Sequence, residues 1–265
     1  MLLKKMYLGL ILLFLYAPII VLMAFSFNAS PSRANWGGFT LDWYVQLFND
    51  PNIMRALRNT VLIALFSTLI ATAIGTMAAV GIDRLGRRSK ALIMSISRLP
   101  VMMPDIITGI SLRILFLFVI RFFGVGSLGF GTLLLSHVIF NVSYVILSVT
   151  PRLKLLDNNL YEAALDLGST PIRAFTKVIL PEIWPGVVTG ALLAFTLSVD
   201  DFMVSFFTTG SGVNNLSIMV FSMARRGVNP RINALSTLIF IVIMAMLFLI
   251  HKRDQRLARK LKEMN

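Results

Sequence analysis

The chain has 265 residues and a mean hydropathy of +0.80, and 57% of its residues are hydrophobic whereas only 14% are charged. About a quarter of the residues of a soluble globular domain are charged, so this composition indicates a membrane protein. The absence of Cys excludes a disulfide framework, a Cys-based zinc site and thiolate catalysis, and two histidines are too few for a histidine metal cluster.

The formal net charge of +13 raises the question of nucleic-acid binding, but the positions of the charges argue against it. Lys and Arg flank long apolar runs, where they resist translocation and favour the anionic inner leaflet. The C-terminal tail alternates basic and apolar residues, which is typical of a stop-transfer anchor on that leaflet. The charge therefore reports membrane topology and lipid contact, and no nucleic-acid partner is expected.

Six apolar runs are long enough to cross the ~30 Å hydrocarbon layer as helices, which takes about 20 residues each. The predicted spans cover approximately residues 7–28, 59–82, 91–120, 131–149, 186–208 and 232–250. We therefore expect a single transmembrane domain over residues 1–265, all-α and polytopic. The first run is interpreted as an uncleaved anchor, because its apolar core is long and further spans follow.

The segments between and within the spans carry further signals. Residues 29–58 are polar and contain a short amphipathic piece, Leu41 to Phe48, in which Trp43 suits a membrane interface. The second span is rich in small residues, which lets neighbouring helices approach closely and predicts that it is buried. The third span is interrupted by Pro100 and Pro104 and is expected to kink there.

The distribution of Lys and Arg predicts the orientation. With the N-terminus inside, the cytosolic segments hold sixteen of these residues and the outer segments hold seven, while Arg98 and Arg113 fall within the third span. This bias predicts a multi-pass protein of the cell membrane with both termini, and the polar interval at 157–181, in the cytosol.

That polar interval predicts a helix, a tight turn and a second helix. Good helix formers continue to Leu167, and Gly168 stands where a C-terminal cap is needed. Thr170 is placed as an N-cap, with Pro171 at the first helical position. The second helix is expected to end before Pro181.

The same interval resembles the EAA loop of the membrane subunits of binding-protein-dependent ABC importers. Glu162, Ala163, Ala164, Gly168 and Pro181 match that motif at the family's spacing, together with Ile179 and Leu180. The resemblance implies a type I importer permease fold of six transmembrane helices. It also implies that this interval is a coupling hairpin docked on a separate ATPase subunit, whereas the alternative is an ordinary cytosolic helical hairpin.

Three carboxylates fall within the predicted spans, where each costs about 2.5 to 3.5 kcal/mol on insertion scales and is a functional candidate. Asp105 follows the Pro100 to Pro104 kink, and Asp200 and Asp201 lie in the outer half of the fifth span. Without neighbouring His ligands or a nucleophile, neither a metal site nor acid-base catalysis is indicated. A cationic substrate explains these residues, and Trp43 is a candidate aromatic face for it.

The segments around these carboxylates also resemble the second permease subunit of the spermidine/putrescine importers. The similarity extends over nearly the whole chain and includes Met102 to Ile106, Leu197 to Asp201 and the outer loop around Trp43. Polyamine contacts at Trp43, Asp105 and Asp200, and a substrate-path position for Asp201, are expected from the matching positions.

Alternatives remain for each of these residues. Asp105 could cap the kinked helix or form an ion pair, and Trp43 could be an interface anchor. Adjacent residues on a helix point about 100° apart, so Asp200 and Asp201 face one point only if the helix unwinds there, and one of them could pair with an Arg. Arg113 follows Asp105 by about 80° of helical rotation and would repel a polyamine unless it faces a neighbouring helix.

We interpret the chain as a permease subunit and not an enzyme, since it has no P-loop glycine motif of its own. The resemblance implies a second homologous permease, an ATPase dimer that binds ATP and Mg²⁺, and an extracytoplasmic polyamine-binding protein. No cofactor or metal is expected in this chain. The rival interpretations are a permease for another solute, such as a ferric ion, thiamine or an oxyanion, and an ion-gradient-driven carrier.

Overall fold

The computed structural model of the protein describes residues 2–31, 35–124, 126–157, 159–225 and 230–245. Regular structure in these ranges is helical, apart from an isolated antiparallel bridge between Asn28 and Phe39. In chain order the helices are α1 (Leu2–Phe25), α2 (Asp42–Asn49), α3 (Pro51–Asp83), α4 (Arg87–Met102), α5 (Asp105–Phe123), α6 (Phe130–Leu153), α7 (Asn159–Asp166), α8 (Pro171–Ala174), α9 (Leu180–Asp200), α10 (Met203–Thr208), α11 (Leu216–Arg225) and α12 (Pro230–Ala245). A π-helical segment, Phe175–Ile179, lies between α8 and α9.

Five of the helical stretches are long and apolar enough to cross a membrane. They are Met6–Phe25, Pro51–Asp83, Asp105–Phe123, Phe130–Leu153 and Pro171–Asp200. The sixth predicted span, 232–250, begins within α12, and its residues 246–250 lie outside the described ranges. The chain forms two compact units, one of residues 1–54 and 219–265 and the other of residues 55–218.

In the first unit, the loop after α1 folds around Asn28. The side-chain oxygen of Asn28 accepts the backbone N–H of Ser30 and Gly37, its amide donates to the Asn35 carbonyl, and its own carbonyl accepts the Trp43 indole N–H at 2.8 Å. The short amphipathic piece at 41–48 forms most of α2. These bonds fix the position of Trp43, which is half-buried.

Helix α3 starts at Pro51, ahead of the predicted span at 59–82. The Asp50 carboxylate accepts the backbone N–H of Asn52 at 2.9 Å and Ile53 at 3.4 Å, so it caps the helix while Pro51 occupies the first turn. The resulting 33-residue helix is about 50 Å long. The Asp50-Pro51 pair, within the polar segment 29–58, is thus the local signal for the start of α3.

The second unit is packed closely through small residues. Ala71, Gly75 and Ala79 recur at every fourth position of α3 and are buried. A side chain at Gly75 would lie 2.7 Å from Val145 Cβ on α6, and one at Gly190 on α9 would lie 3.1 Å from the Val145 Cα. The prediction that small residues of the second span allow close helix approach is therefore confirmed.

The run predicted as the third span forms two helices. Helix α4 ends at Met102, Met103 is extended, Pro104 is the N-cap of α5, and Asp105 lies in the first turn of α5. Proline has no backbone N–H to donate to the preceding turn, and it disfavours a helical conformation at the residue before it. These two effects explain why the helix breaks at Met103 and Pro104.

The predicted caps of the polar hairpin are confirmed. Gly168 has φ +82°, its N–H donates to the Leu165 carbonyl at 2.9 Å, and the N–H of Ser169 donates to the Ala164 carbonyl at 3.1 Å. These two bonds form a Schellman motif, in which glycine supplies the left-handed residue. The Thr170 hydroxyl accepts the Arg173 N–H, with Pro171 at the start of α8.

The prediction that the second hairpin helix ends before Pro181 is wrong. Helix α8 continues through the π segment into α9, so residues Pro171–Asp200 form one helical stretch of 30 residues, about 45 Å long. The Leu180 N–H donates to the Phe175 carbonyl, one residue further back than in an α-helix. This wider turn accommodates the following proline, which has no N–H to donate.

Candidate functional site

A cavity of about 330 Å³ in the second unit brings the three membrane carboxylates together. Asp105, Asp200 and Asp201 all line it, although the first is nearly a hundred residues away from the other two in sequence. The remaining lining residues are Pro100, Thr108, Phe140, Tyr144, Leu197, Phe202, Met203 and Val204. The cavity is thus built from α4, α5, α6, α9, α10 and the turn between the last two.

The positions of Asp105 and Asp200 at helix ends explain why both side chains point into open space. Asp105 is the first residue of α5, directly after the Pro104 break, and Asp200 is the last residue of α9. Both side chains are exposed. Within the described part of the chain, no Lys or Arg lies within ion-pair distance of either carboxylate. Both carboxylates are therefore available to a cation that enters the cavity.

Asp201 has a different environment from its neighbour. It is extended, with ψ 125°, so the helix is unwound at the position where both carboxylates need to face one cavity. Its carboxylate oxygens accept the backbone N–H of Val204 at 3.2 Å and of Ser205 at 2.7 Å, and its side chain is only 9% exposed. Asp201 therefore caps the N-terminus of α10.

A network of buried polar side chains lies next to the Asp201 cap. His137 on α6 is fully buried, and its Nε2 lies 3.0 Å from the Ser205 hydroxyl and 3.7 Å from the Asp201 carboxylate. The Ser205 hydroxyl also accepts the Asn215 amide at 2.7 Å, and Asn215 in turn accepts the Ile218 N–H at 2.9 Å. The neighbour of the Asp201 carboxylate in the described chain is thus a buried histidine, and no Lys or Arg of that part lies within ion-pair distance of it, in contrast to the arginine considered from the sequence.

A second buried polar cluster lies one turn further along α6. The Asn141 amide donates to the Ser198 hydroxyl at 2.8 Å and to the Ser67 hydroxyl at 3.3 Å. These three side chains join α3, α6 and α9. Because buried hydrogen bonds of this kind fix a unique arrangement, they hold the end of α9 against its neighbours.

Arg113 lies at the opposite end of α10 from Asp201. Its Nη1 donates to the Phe207 carbonyl at 3.0 Å, in the last turn of that helix, and it is absent from the residues that line the cavity. A side chain at Gly109, one turn earlier on α5, would lie 3.1 Å from the Met203 carbonyl, so α5 and α10 pack closely. Arg113 thus faces a neighbouring helix, and α10 carries an anion at its N-terminus and a cation at its C-terminus.

The aromatic residues of the cavity were not predicted from the sequence. Phe140 and Tyr144 are one turn apart on α6, and their rings meet edge to face with centroids 6.4 Å apart. Phe202 follows the two adjacent aspartates. The predicted aromatic contact, Trp43, lies in the first unit, and its role stays a prediction. The signal for Phe140 and Tyr144 was their i, i+4 spacing, which alone does not separate a cavity wall from ordinary packing.

The hairpin carries the other predicted residues. Glu162 and Ala163 are exposed, Ala164 is buried, and Pro181 lies just after the π segment. Leu167 and Ile172, on either side of the Gly168 turn, are 88% and 76% exposed. Apolar side chains so fully exposed at the tip of a structured turn are characteristic of an interaction surface.

The described residues contain no group of three or more His, Cys, Asp or Glu side chains that could hold a metal ion. Asp105, Asp200 and Asp201 share a cavity but do not form such a group. The site therefore consists of exposed carboxylates, aromatic ring faces and neighbouring buried polar side chains.

Several permease proteins, including the following three, match most of the chain. The putrescine transport system permease protein PotI of Escherichia coli strain K12 is 42% identical over 228 residues, which is 85% of this chain and 81% of the relative. The spermidine/putrescine transport system permease protein PotC of the same strain is 40% identical, with 88% and 86% covered. PotC of Haemophilus influenzae is 37% identical, with 93% and 94% covered.

Solved structures share the fold. The chain matches the crystal structure of a bacterial alginate ABC transporter in complex with an alginate pentasaccharide-bound periplasmic protein with a TM-score of 0.68 and 19% identity, over 94% of this chain and 92% of the other. It matches an inward-facing structure of the MetNI methionine ABC transporter with a TM-score of 0.59 and 22% identity, over 83% and 98%. The fold is therefore the all-α fold of ABC transporter permeases.

Residues 71–261 match the family model described as the inner membrane component of binding-protein-dependent transport systems. The match covers more than half of the chain and agrees with the relatives and with the fold. The chain is accordingly a multi-pass permease subunit that belongs to the family of inner membrane components of binding-protein-dependent transport systems.

Proposed function

We propose that this permease subunit forms, with a second homologous permease, the path by which a polyamine enters the cell. The observation that carries the proposal is the single cavity lined by two exposed, unpaired carboxylates, Asp105 and Asp200. The names of the three relatives support it, since one describes putrescine transport and two describe spermidine/putrescine transport.

The chemistry of the cavity suits an alkyl polyamine. Ammonium groups need carboxylates in a confined space, and the methylene chain between them needs apolar or aromatic surface. Tyr144 and Phe140 offer such surface, and a ring face close to an ammonium group adds a cation-π attraction of about 0.5 to 2 kcal/mol. Asp201 lines the same path, and we assign it the task of holding the turn that presents Asp200.

The charges of the cavity disfavour an oxyanion. A site for an oxyanion uses Arg side chains or a free helix N-terminus. The described lining contains no Lys or Arg, and the N-terminus of α5 already carries the Asp105 carboxylate. An anionic solute would meet three carboxylates with no compensating cation.

The hairpin is the proposed contact with a separate ATPase subunit that binds ATP and Mg²⁺. Exposed Leu167 and Ile172 at its tip, together with Glu162 and Ala163 on its surface, form the docking face. This role puts the hairpin and both termini in the cytosol, in agreement with the Lys and Arg distribution. An extracytoplasmic polyamine-binding protein would deliver the substrate from the other side.

The test is uptake of labelled spermidine into vesicles that contain this chain, the second permease, the ATPase and the binding protein. We expect uptake that requires ATP and that unlabelled putrescine or spermidine suppresses, whereas thiamine, ferric ion and an oxyanion do not. Uptake that follows an ion gradient without ATP would contradict the ATP-driven mechanism. Competition by one of the other solutes, but not by polyamines, would contradict the substrate assignment.

A further inference from the structure

A cation-π contact joins the hairpin to the end of α3. The guanidinium carbon of Arg84, the residue directly after α3, lies 3.8 Å from the ring centroid of Tyr161 on α7. This distance is well within the range of about 6 Å in which such contacts attract. The two residues are far apart in sequence, so the contact is tertiary and was not predicted.

Arg84, one member of the cation-π contact, lies in the turn between α3 and α4, which a salt bridge stabilises. Lys90 at the start of α4 forms a salt bridge of 2.6 Å with Asp83, and its ammonium also donates to the Asp83 carbonyl at 3.3 Å. These two contacts link the end of α3 directly to the first turn of α4. Helix α4 runs from this turn to Met102, and Pro100 in its last part lines the cavity of the carboxylates.

The partner on the other side, Tyr161, belongs to the hairpin and directly precedes Glu162. Tyr161 packs against an apolar cluster that includes Val149 and Leu153 of α6, Ile179 of the π segment and Ile183 of α9. The Tyr161 ring therefore packs against α6, the π segment and α9, and the Arg84 guanidinium covers one of its faces.

A cavity of about 440 Å³ lies where these parts meet, and both Arg84 and Tyr161 line it, together with Val80, Leu153 and Leu165. The Arg84–Tyr161 contact therefore lies at the edge of a cavity between the hairpin and the end of α3.

We propose that the Arg84–Tyr161 contact transmits movement of the hairpin to the turn between α3 and α4, and through α4 to the carboxylate cavity. Arg84 and Tyr161 are positioning residues in this account, and the proposal rests on the coupling role proposed for the hairpin. The planar guanidinium can stack on a ring in a way that a lysine ammonium cannot reproduce. The contact is thus a second connection between hairpin and cavity, parallel to the continuous helical stretch that ends at Asp200.

The test measures the number of spermidine molecules transported per ATP hydrolysed, in the four-component complex in vesicles. Arg84→Gln and Tyr161→Leu should each lower this ratio about three- to tenfold, as residues between coupled sites do. Tyr161→Phe keeps the ring and should leave the ratio unchanged. Arg88→Gln, which removes the same charge from the neighbouring turn of α4, is the matched control and should also leave it unchanged.

The double variant Arg84→Gln, Tyr161→Leu should be no worse than either single variant, because both remove the same contact. If Arg84→Gln prevents assembly of the complex, Arg84→Lys keeps the charge and is expected to lower the ratio in the assembled complex.

A normal ratio in Arg84→Gln, or equal losses in Arg84→Gln and Arg88→Gln, would overturn the proposal while leaving ATP-driven transport in place. Absence of ATP-dependent uptake in the unmodified complex would instead overturn the proposed function and this inference together.

Discussion

The two ends of the helical stretch Pro171–Asp200 present opposite kinds of surface. At the Asp200 end, a cavity holds exposed carboxylates that no described Lys or Arg neutralises, backed by buried polar side chains such as His137 and Asn141. At the Pro171 end, the hairpin exposes apolar side chains, Leu167 and Ile172, around a turn closed by backbone hydrogen bonds.

This difference indicates what each end recognises. A confined space with unpaired negative charge attracts a cation, whereas an exposed apolar tip on a rigid turn is stabilised when another protein covers it. One helical stretch of about 45 Å separates the two ends, so substitutions can disturb one end at a time.

The largest effect is expected for Gly168→Val at the hairpin. Gly168 has φ +82°, which a β-branched residue does not adopt without a strain of about 1 to 3 kcal/mol. The Schellman turn should rearrange, so that the ATPase no longer co-purifies with the permeases and uptake falls to background, while the chain still inserts into the membrane.

The matched control is Gly124→Val. Gly124 also has a positive φ, at +64°, with open space around it, but it ends α5 and lies outside the hairpin. Its substitution should leave co-purification of the ATPase intact. Retention of the ATPase by the Gly168 variant, with normal uptake, would show that the hairpin turn has no coupling role.

A smaller effect is expected for Arg113→Gln near the cavity end. Arg113 donates to the Phe207 carbonyl in the last turn of α10, and a cation at a helix C-terminus contributes about 0.3 to 1 kcal/mol. The melting temperature of the purified complex should therefore fall by about 1 to 4 °C, with spermidine uptake reduced no more than about twofold.

Arg58→Gln removes an exposed cation from α3, away from both ends of that helix, and serves as the control. If Arg113 instead lay in the path and repelled the substrate, its removal would raise the rate of spermidine uptake without lowering the melting temperature.

The sequence predicted the parts of this account that depend on neighbouring residues. The caps at Gly168 and Thr170 follow from local backbone preferences, and the break before Asp105 follows from Pro104, whereas Pro100 lies within α4. The continuation of α8 through Pro181 could not be predicted, because it depends on a π turn whose extra residue compensates for the proline.

The scaffold of the cavity could not be predicted for a different reason. Arg113 meets a carbonyl 94 residues away, and His137 meets a serine 68 residues away, so neither partner is visible in local sequence. The adjacent residues Asp200 and Asp201 have the same chemistry, and only the tertiary structure separates the exposed carboxylate from the one that caps α10.

The central claim is that the charges of Asp105 and Asp200 form the route of the cation. The most direct measurement is the apparent KM and maximal rate of ATP-dependent spermidine uptake for Asp105→Asn, Asp200→Asn and Asp201→Asn in the four-component complex. We expect Asp105→Asn and Asp200→Asn to reduce the ratio of maximal rate to KM by about tenfold or more, since each removes an unpaired charge. Asp201→Asn keeps an acceptor for the N-terminus of α10 and should lose much less. Normal uptake in both Asp105→Asn and Asp200→Asn, in correctly assembled complexes, would contradict the account.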